Sequence, residues 1–553
     1  MTRRLILSLI LAGYFILGAL FAAKTPAWQA PDEPAHYNYI AYLAEKGDFP
    51  VLHFGDYPHA YLEQIKAARF PPGMPVTPIR YESHQPPLYY GLAAPVYSLA
   101  GGSLTALRLL SVLLGAGIVV LAYGVARRVL PGRPAPALGA AAFVAFLPQH
   151  LATVSQVGND VLAELLLAAV LFLLVGLVSE PGGLAPETAH LPHRGEGAHA
   201  AVTRAELPRE RSAAQTPLVL GVLLGLILIT KTTAYIAVPL ALGVLVWRWL
   251  VDRAPARRIL LEGLSILLPA AAIALPWYVR NIVVYGWPDF LGLIRHDQIV
   301  TGQMRTLQYV AEHGWAAYWG RAAEWTFKSF AGVFGWMGVW LDSRVYYVLG
   351  LWLGIPAVAW AMPAAGIPAL ATAQRTRADR IGQAQGETGG PAAASQPAAD
   401  PLPAAAPSQA TSRSAAALLV VSALLTLLAY VYYNVTFLQH QGRYLFTALI
   451  PIAIFLAAGW ERALTPRTAT IVAGVLLAGA AALAAWGVWL APPPAAGIPK
   501  WPLLLTAAAA VGLVVAGRLA GQWRRWAYAA AYALLPAASF YALFGAIIPQ
   551  LTR

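Results

Sequence analysis

The sequence predicts an all-α polytopic membrane protein, a bundle of about thirteen transmembrane helices with further helices at the outer interface. Three observations predict it: the apolar share, the scarcity of charge, and the recurrence of apolar runs near twenty residues. Of 553 residues, 58% are hydrophobic and only 11% are charged, where a soluble chain carries about a quarter. No globular core buries so much apolar surface behind so few charges, so lipid is the solvent for much of the chain. Lys and Arg number 38 against 25 Asp and Glu, a net +13. In this setting that excess is a topology signal, and nucleic acid is not a partner. Cysteine is absent, which excludes disulfides, thiolate metal sites and cysteine nucleophiles.

Residues 1–23 read as the first span. The apolar run 5–23 follows Arg3 and Arg4 and is longer than the roughly 7–15 apolar residues of a signal peptide. It is expected to stay uncleaved, with the N-terminus cytosolic and residue 24 onward outside. Residues 24–104 form a first outer loop, long and mixed, whose proline-led segment 86–100 is too short to span and reads as an interfacial helix. Within 105–178, spans are expected at 105–126, 135–152 and 161–178. Residues 179–216 and 372–414 are rich in Ala, Pro and Gly without apolar periodicity and read as disordered cytosolic loops. His190, His193 and His199 fall in the first of them and carry no metal assignment. Residues 217–277 hold spans at 217–231, 234–250 and 259–277. Residues 278–344 form a second outer loop, in which Trp315, Tyr318, Trp319 and Trp325 stand near helical spacing, as interfacial anchors do. A single span covers 345–371, and 415–553 supplies the C-terminal spans 415–434, 444–460, 468–490, 501–517 and 526–548.

Charge placement fixes the count at 217–250. With two crossings there, Arg127, Arg128 and Arg133, the group from Arg248 to Arg258, Arg462 with Arg467, and Arg518 with Arg524 and Arg525 all face the cytosol. Cytosolic segments then hold 22 basic and 10 acidic residues, outer ones 16 and 13, and Glu164 and Glu262 lie within spans. The excess of charge reports orientation in a plasma membrane.

The same orientation gathers polar residues at the outer ends of the spans: Asp32-Glu33, His84-Gln85, Asn159-Asp160, Lys231, Arg280-Asn281 and His440 to Arg443. Ionisable groups at this depth are costly and usually functional. Asp160 and Glu164 share one helix face. Together the clusters describe a reaction chamber open to the outside. Asp32 or Glu33 could take a proton from an acceptor hydroxyl, while Lys231, Arg280 and Arg443 could hold a phosphate. Glycosyl transfer from a polyprenyl phosphate sugar uses these parts and needs no nucleotide site, and no glycine-rich phosphate loop is present.

These motifs carry a resemblance. Pro31-Asp32-Glu33-Pro34-Ala35-His36-Tyr37 resembles the Asp-Glu motif of GT-C superfamily glycosyltransferases, among them the protein O-mannosyltransferases and the lipid A aminoarabinose transferases. His84-Gln85-Pro86-Pro87-Leu88-Tyr89-Tyr90 resembles their Pro-Pro-Leu-Tyr-Tyr segment and Thr230-Lys231 their Leu-Thr-Lys turn. Pro276-Trp277-Tyr278-Val279-Arg280-Asn281 resembles their Pro-Trp-Tyr-x-Arg-Asn segment, and Gln441-Gly442-Arg443-Tyr444 their Arg-Tyr motif. The resemblance implies a GT-C-like bundle and makes Asp32 the base or acceptor-orienting group. Lys231 and Arg443 would contact the donor phosphate, and His36, Glu82, His84, Asp160 and Tyr444 would support the site or the acceptor. The aminoarabinose transferases carry a carboxylate two residues before the first proline, where this chain has His84, with Glu82 two positions earlier. The superfamily has metal-dependent and metal-independent branches, so a divalent metal stays open and no ligand to one is assigned.

Plainer readings stand beside these. Asp32-Glu33 opens an apparent helix and suits its dipole, Asn159-Asp160 could cap a span, His36 could be packing, and Lys231 could be a snorkelling anchor. Two other functions share the hydropathy profile: a transporter or flippase of lipid-linked sugars, and a non-catalytic membrane assembly protein. A transporter places its charges near the midplane between repeated halves, whereas here they gather at one face and no repeat is visible.

Overall fold

The computed structural model describes residues 2–179, 207–362, 409–489 and 500–552. It is a helical bundle, and the only strands among the described residues are Val333–Phe334 and Val339–Trp340, paired antiparallel. Among the described residues, eleven helices are long and apolar enough to cross a membrane, and two shorter apolar helices, Pro134–Phe146 and Gln215–Leu228, stand between them. The chain is a multi-pass membrane protein.

Burial is distributed as lipid solvation requires. In Ala256–Tyr285 only 17% of the most apolar window is buried, and Leu260, Leu268 and Val283 point outward. In water each exposed leucine would cost about 1.5–3 kcal/mol of unrealised burial, so this surface faces acyl chains. The Gly442–Ala463 segment is the opposite case, 67% buried, and forms the centre of the bundle.

The expected span over 135–152 is broken. Pro134–Phe146 ends at Leu147, whose backbone is extended, and Pro148–Thr153 begins a second short helix. Proline drives the residue before it out of the helical region, and thirteen residues reach only about 20 Å. The bend buries His150 and Gln149 within the bundle. Over 217–250, where two spans are expected, the helix breaks, with Gln215–Leu228 only a shorter apolar helix and Thr232–Leu250 long enough to cross. Leu207–Leu228 ends before Thr230, Lys231 is extended, and a short 3-10 turn, Thr232–Ile236, leads into Ala237–Leu250. The two expected disordered loops lie mostly outside the described residues. Their described edges are helical, since 207–216 and 409–414 belong to Leu207–Leu228 and Gln409–Thr436.

The regions expected as outer loops are largely helical too. The first holds Glu33–Lys46, His59–Ala67 and Leu88–Leu99 over a small apolar cluster that includes Leu62, Ile65, Phe70, Ile79 and Val300. In the second, Ala256–Tyr285 continues past residue 277, and Leu293–Ile299 and Thr306–Ala331 follow, the latter kinked at Gly314. Trp315 and Trp319 are exposed, but Tyr318 is buried and donates to the Asn434 carbonyl at 3.3 Å. Gly335, Trp336 and Met337 are all left-handed and turn the strand pair so that Trp336 Nε1 donates to the Trp28 carbonyl at 2.9 Å. That bond joins the two regions expected as outer loops.

Candidate active site

Asp32 precedes the Glu33–Lys46 helix with a left-handed backbone, φ 66°, and makes no side-chain capping bond. That conformation costs an aspartate of order 1–3 kcal/mol. The carboxylate is turned instead toward the bundle. Its Oδ1 accepts the Tyr81 hydroxyl at 2.8 Å and its Oδ2 accepts Arg443 Nη2 at 3.1 Å. A second pair, Lys231 Nζ to Asp160 Oδ1 at 2.8 Å, completes the cluster. In both pairs the carboxylate is 31% exposed, so solvent reaches the oxygens although the cations are more deeply set. Burial raises the Asp32 carboxyl pKa, but Arg443, His36, the Tyr81 hydrogen bond and Lys231 together bring it below its ordinary value.

The four groups come from four distant segments, each held by tight local contacts. Arg443 stands on the 3-10 turn Gly442–Ala448. A Cβ on Gly442 would fall 2.3 Å from the Phe330 nitrogen, so only glycine lets this turn cross the Thr306–Ala331 helix. Its N–H donates to Ser329 Oγ at 2.7 Å. Asn159, fully buried, donates to Gln85 Oε1 and to the Thr230 carbonyl, both at 3.1 Å. It thereby joins the residues before Pro86, before Lys231 and before Asp160.

His36 and His84 line the same region, both buried. His36 Nδ1 lies 2.8 Å from the Tyr90 hydroxyl, and Tyr90 stacks on Tyr39 with ring centroids 3.6 Å apart. His84 donates its Nδ1 proton to the Tyr81 carbonyl at 3.1 Å, which leaves Nε2 an acceptor. Its ring packs 4.4 Å from that of His296. Burial lowers the pKa of His36, partly offset by Glu82, and burial followed by His296 lowers that of His84 much further. Both imidazoles are neutral at pH 7. Glu82 is buried, and its Oε2 has no hydrogen-bond partner among the described residues. Tyr444 packs against Tyr433 and under the Arg443 guanidinium. Among the described residues no group of three or more His, Asp or Glu is placed to hold a metal ion.

Two expected site residues stand elsewhere. Glu33 is fully buried and ion-paired to Arg108 at 2.6 Å, closed to any substrate. Arg280 spends its guanidinium on the segment after the Glu33–Lys46 helix, donating to the Phe49 and Pro50 carbonyls at 3.1 and 2.9 Å and lying over the Trp277 ring. Sequence reasoning missed Arg108, Tyr90 and His296. Arg108 had a signal, being the one charge in the apolar run 105–126. Tyr90 stood only within the Pro-Pro-Leu-Tyr-Tyr segment, with no role assigned, and His296 had no signal, because both roles depend on neighbours across the fold.

Residues 84–182 match the family model described as dolichyl-phosphate-mannose-protein mannosyltransferase, a class that the motifs resemble. The matched stretch contains His84, Arg108, Asn159 and Asp160. Among solved structures, ArnT from Cupriavidus metallidurans bound to undecaprenyl phosphate is similar at 14% identity. That similarity covers 99% of this chain and 77% of ArnT, with a TM-score of 0.48. The Archaeoglobus fulgidus oligosaccharyltransferase tethered with an acceptor peptide is similar at 12% identity over 97% of this chain, with a TM-score of 0.44. The chain spans 55% of the length of that enzyme. No curated protein matches the chain by sequence.

Proposed function

We propose that this protein is a membrane glycosyltransferase that moves a sugar from a polyprenyl-phosphate-linked donor to an acceptor hydroxyl at the outer face of the plasma membrane, its N-terminus in the cytosol. The observation that carries the reading is the Asp32–Arg443 pair, 3.1 Å apart, beside the Lys231–Asp160 pair. A base and two cations share one solvent-reached cluster at the ends of spans. The carboxylates of Asp32 and Asp160 occupy positions that phosphate oxygens take when the donor arrives. Arg443 then turns its fork to the phosphate, with Lys231 beside it, and Asp32 is released toward the acceptor.

Asp32 takes the proton from the acceptor hydroxyl as that oxygen attacks the anomeric carbon. The bond from the anomeric carbon to the phosphate oxygen breaks, its electron pair leaves with the polyprenyl phosphate, and the two cations stabilise that charge. Glu33, sealed by Arg108, takes no part in the proton transfer, and Arg280 acts as a loop tether. An apolar cavity of about 590 Å³, lined by Leu43, Phe49, Pro87, Leu88, Leu92 and Ile229, opens two residues from Lys231. Its size and lining suit part of an isoprenoid chain.

The test is transfer by the purified chain in lipid vesicles from polyprenyl phosphate sugars of several kinds. Asp32→Asn is expected to fold, insert and lose transfer, and full transfer by that variant would overturn the reading. Orientation is tested separately. The chain has no cysteine, so His313→Cys on the exposed outer helix is expected to react with an impermeant maleimide from outside intact cells. Labelling only from the cytosolic side would reverse the assignment.

A further inference from the structure

One buried charge pair lies beside the site and outside its chemistry. Arg108 and Glu33 are almost wholly enclosed, with side chains 3% and 0% exposed. Arg108 Nε donates to Glu33 Oε1 at 2.8 Å and Nη2 to Oε2 at 2.6 Å. The same guanidinium reaches the end of the Arg3–Lys24 helix and the strand-like residues after it. Nη1 donates to the Ala22 and Thr25 carbonyls at 3.1 and 2.7 Å, and Nη2 to the Pro26 carbonyl at 3.2 Å. All five donors of an arginine are thereby used. Glu33 Oε1 also accepts the Val157 N–H at 3.1 Å, which joins the turn before Asp160 to the residue after Asp32.

Stability alone gives little reason for this arrangement. A buried ion pair can often be replaced by apolar side chains of similar volume at no loss. What the pair supplies is direction. It fixes the chain on both sides of Asp32, whose left-handed backbone has no capping bond of its own and must be over-determined by its surroundings. Lysine, with a point charge and no planar fork, could not bridge the same set of acceptors.

We propose that Arg108 is a positioning residue: through Glu33 it locks the Asp32 backbone in the conformation that aims the Asp32 carboxylate at Tyr81 and Arg443. This rests on the reading of Asp32 as the base that activates the acceptor. Arg108 touches neither substrate, and its effect falls on proton transfer and not on holding the donor.

The experiment uses the full chain in lipid vesicles, as the paired Glu33→Met/Arg108→Met variant and as Arg108→Lys. Four quantities are measured: thermal unfolding, binding of polyprenyl phosphate, sugar transfer, and carbodiimide labelling of Asp32 relative to exposed Asp48. Both variants are expected to bind polyprenyl phosphate as the unaltered chain does, because Lys231 and Arg443 are untouched. Transfer is expected to fall about 100-fold, the scale of a small misplacement of a reacting group, and Asp32 to label several-fold faster. A folded variant that keeps full transfer overturns the proposal. So does a loss of transfer matched by an equal loss of lipid binding, or failure of both variants to fold, since each makes Arg108 a purely structural residue. If the unaltered chain transfers no sugar, the proposed function fails by itself. The labelling ratio then still decides the positioning role, and an unchanged ratio overturns it.

Discussion

Asp32 and Glu33 are neighbours in the chain, both carboxylates, both bonded to an arginine, and they differ in nearly everything that matters for chemistry. Asp32 is 31% exposed and Arg443 14%, whereas Glu33 and Arg108 have 0% and 3% of their side chains exposed. Arg443 keeps an Nε without a partner among the described residues, while every donor of Arg108 is occupied. The first pair can open for a competing anion, and the second cannot open without leaving a charge stranded in an apolar interior. An ion pair at a site is therefore distinguished from one in the frame by its spare valence and its access to water.

The largest effect that would break this comparison is at Asp32. Removing a positioned base lowers rates by about 10²–10⁴-fold, so Asp32→Asn is expected to lose transfer on that scale while binding polyprenyl phosphate normally. Glu33→Gln puts an amide NH2 where a carboxylate oxygen accepts from Arg108 or Val157, so it is expected to lower transfer through the position of Asp32, but by less than Asp32→Asn, which removes the base itself. Equal losses in both variants, measured as initial rates, would erase the distinction drawn here. Next come the cations. Arg443→Ala and Lys231→Ala are each expected to cost about 10²–10³-fold in turnover with weaker donor binding, read by titration with polyprenyl phosphate.

The pH profile sharpens the same contrast. The Asp32 carboxyl sits below its ordinary value of 3.8, and its protonation would remove the proposed base. Transfer is therefore expected to hold steady as pH falls from neutrality to about 5, and to fail only as pH drops through the lower folded-state value. The ion-pair stabilisation has the same sign, fully present above the ordinary carboxylate value and lost as pH falls through the lower folded-state value. An acid limb centred above pH 6.5 would move the titrating role away from Asp32. The smallest effect is expected at Arg280. Losing its bonds to the Phe49 and Pro50 carbonyls should loosen the loop and cost no more than about tenfold. A loss as large as that of Arg443→Ala would return it to the phosphate.

Much of the fold was legible because hydropathy is a local sum. Each run of about twenty apolar residues must satisfy its own backbone in lipid, and helix is how it does so. The break at Leu147-Pro148 was legible in principle, since proline dictates the backbone before it, but hydropathy averaging ran across it. The long helix over 306–331 was hidden for a different reason. Thr306–Ala331 is held by contacts to Asn434, His440 and Gly442, and its own composition is too mixed to show a span.

Of the site, only the ingredients were legible in the chain: short motifs with Asp32, Lys231 and Arg443 placed at the ends of apolar runs. The sequence could not decide which carboxylate was free. Asp32 and Glu33 are equivalent in composition and spacing, and both suit the start of a helix. The tertiary structure decided between them by bringing Arg108 to Glu33 across 75 positions and Arg443 to Asp32 across 411. The physical reason is that membrane insertion depends on the sum of side-chain transfer energies along a segment. The reactivity of a carboxylate depends instead on the few donors within about 3 Å and on the water that can still reach it, and both are set by packing between segments far apart in the chain.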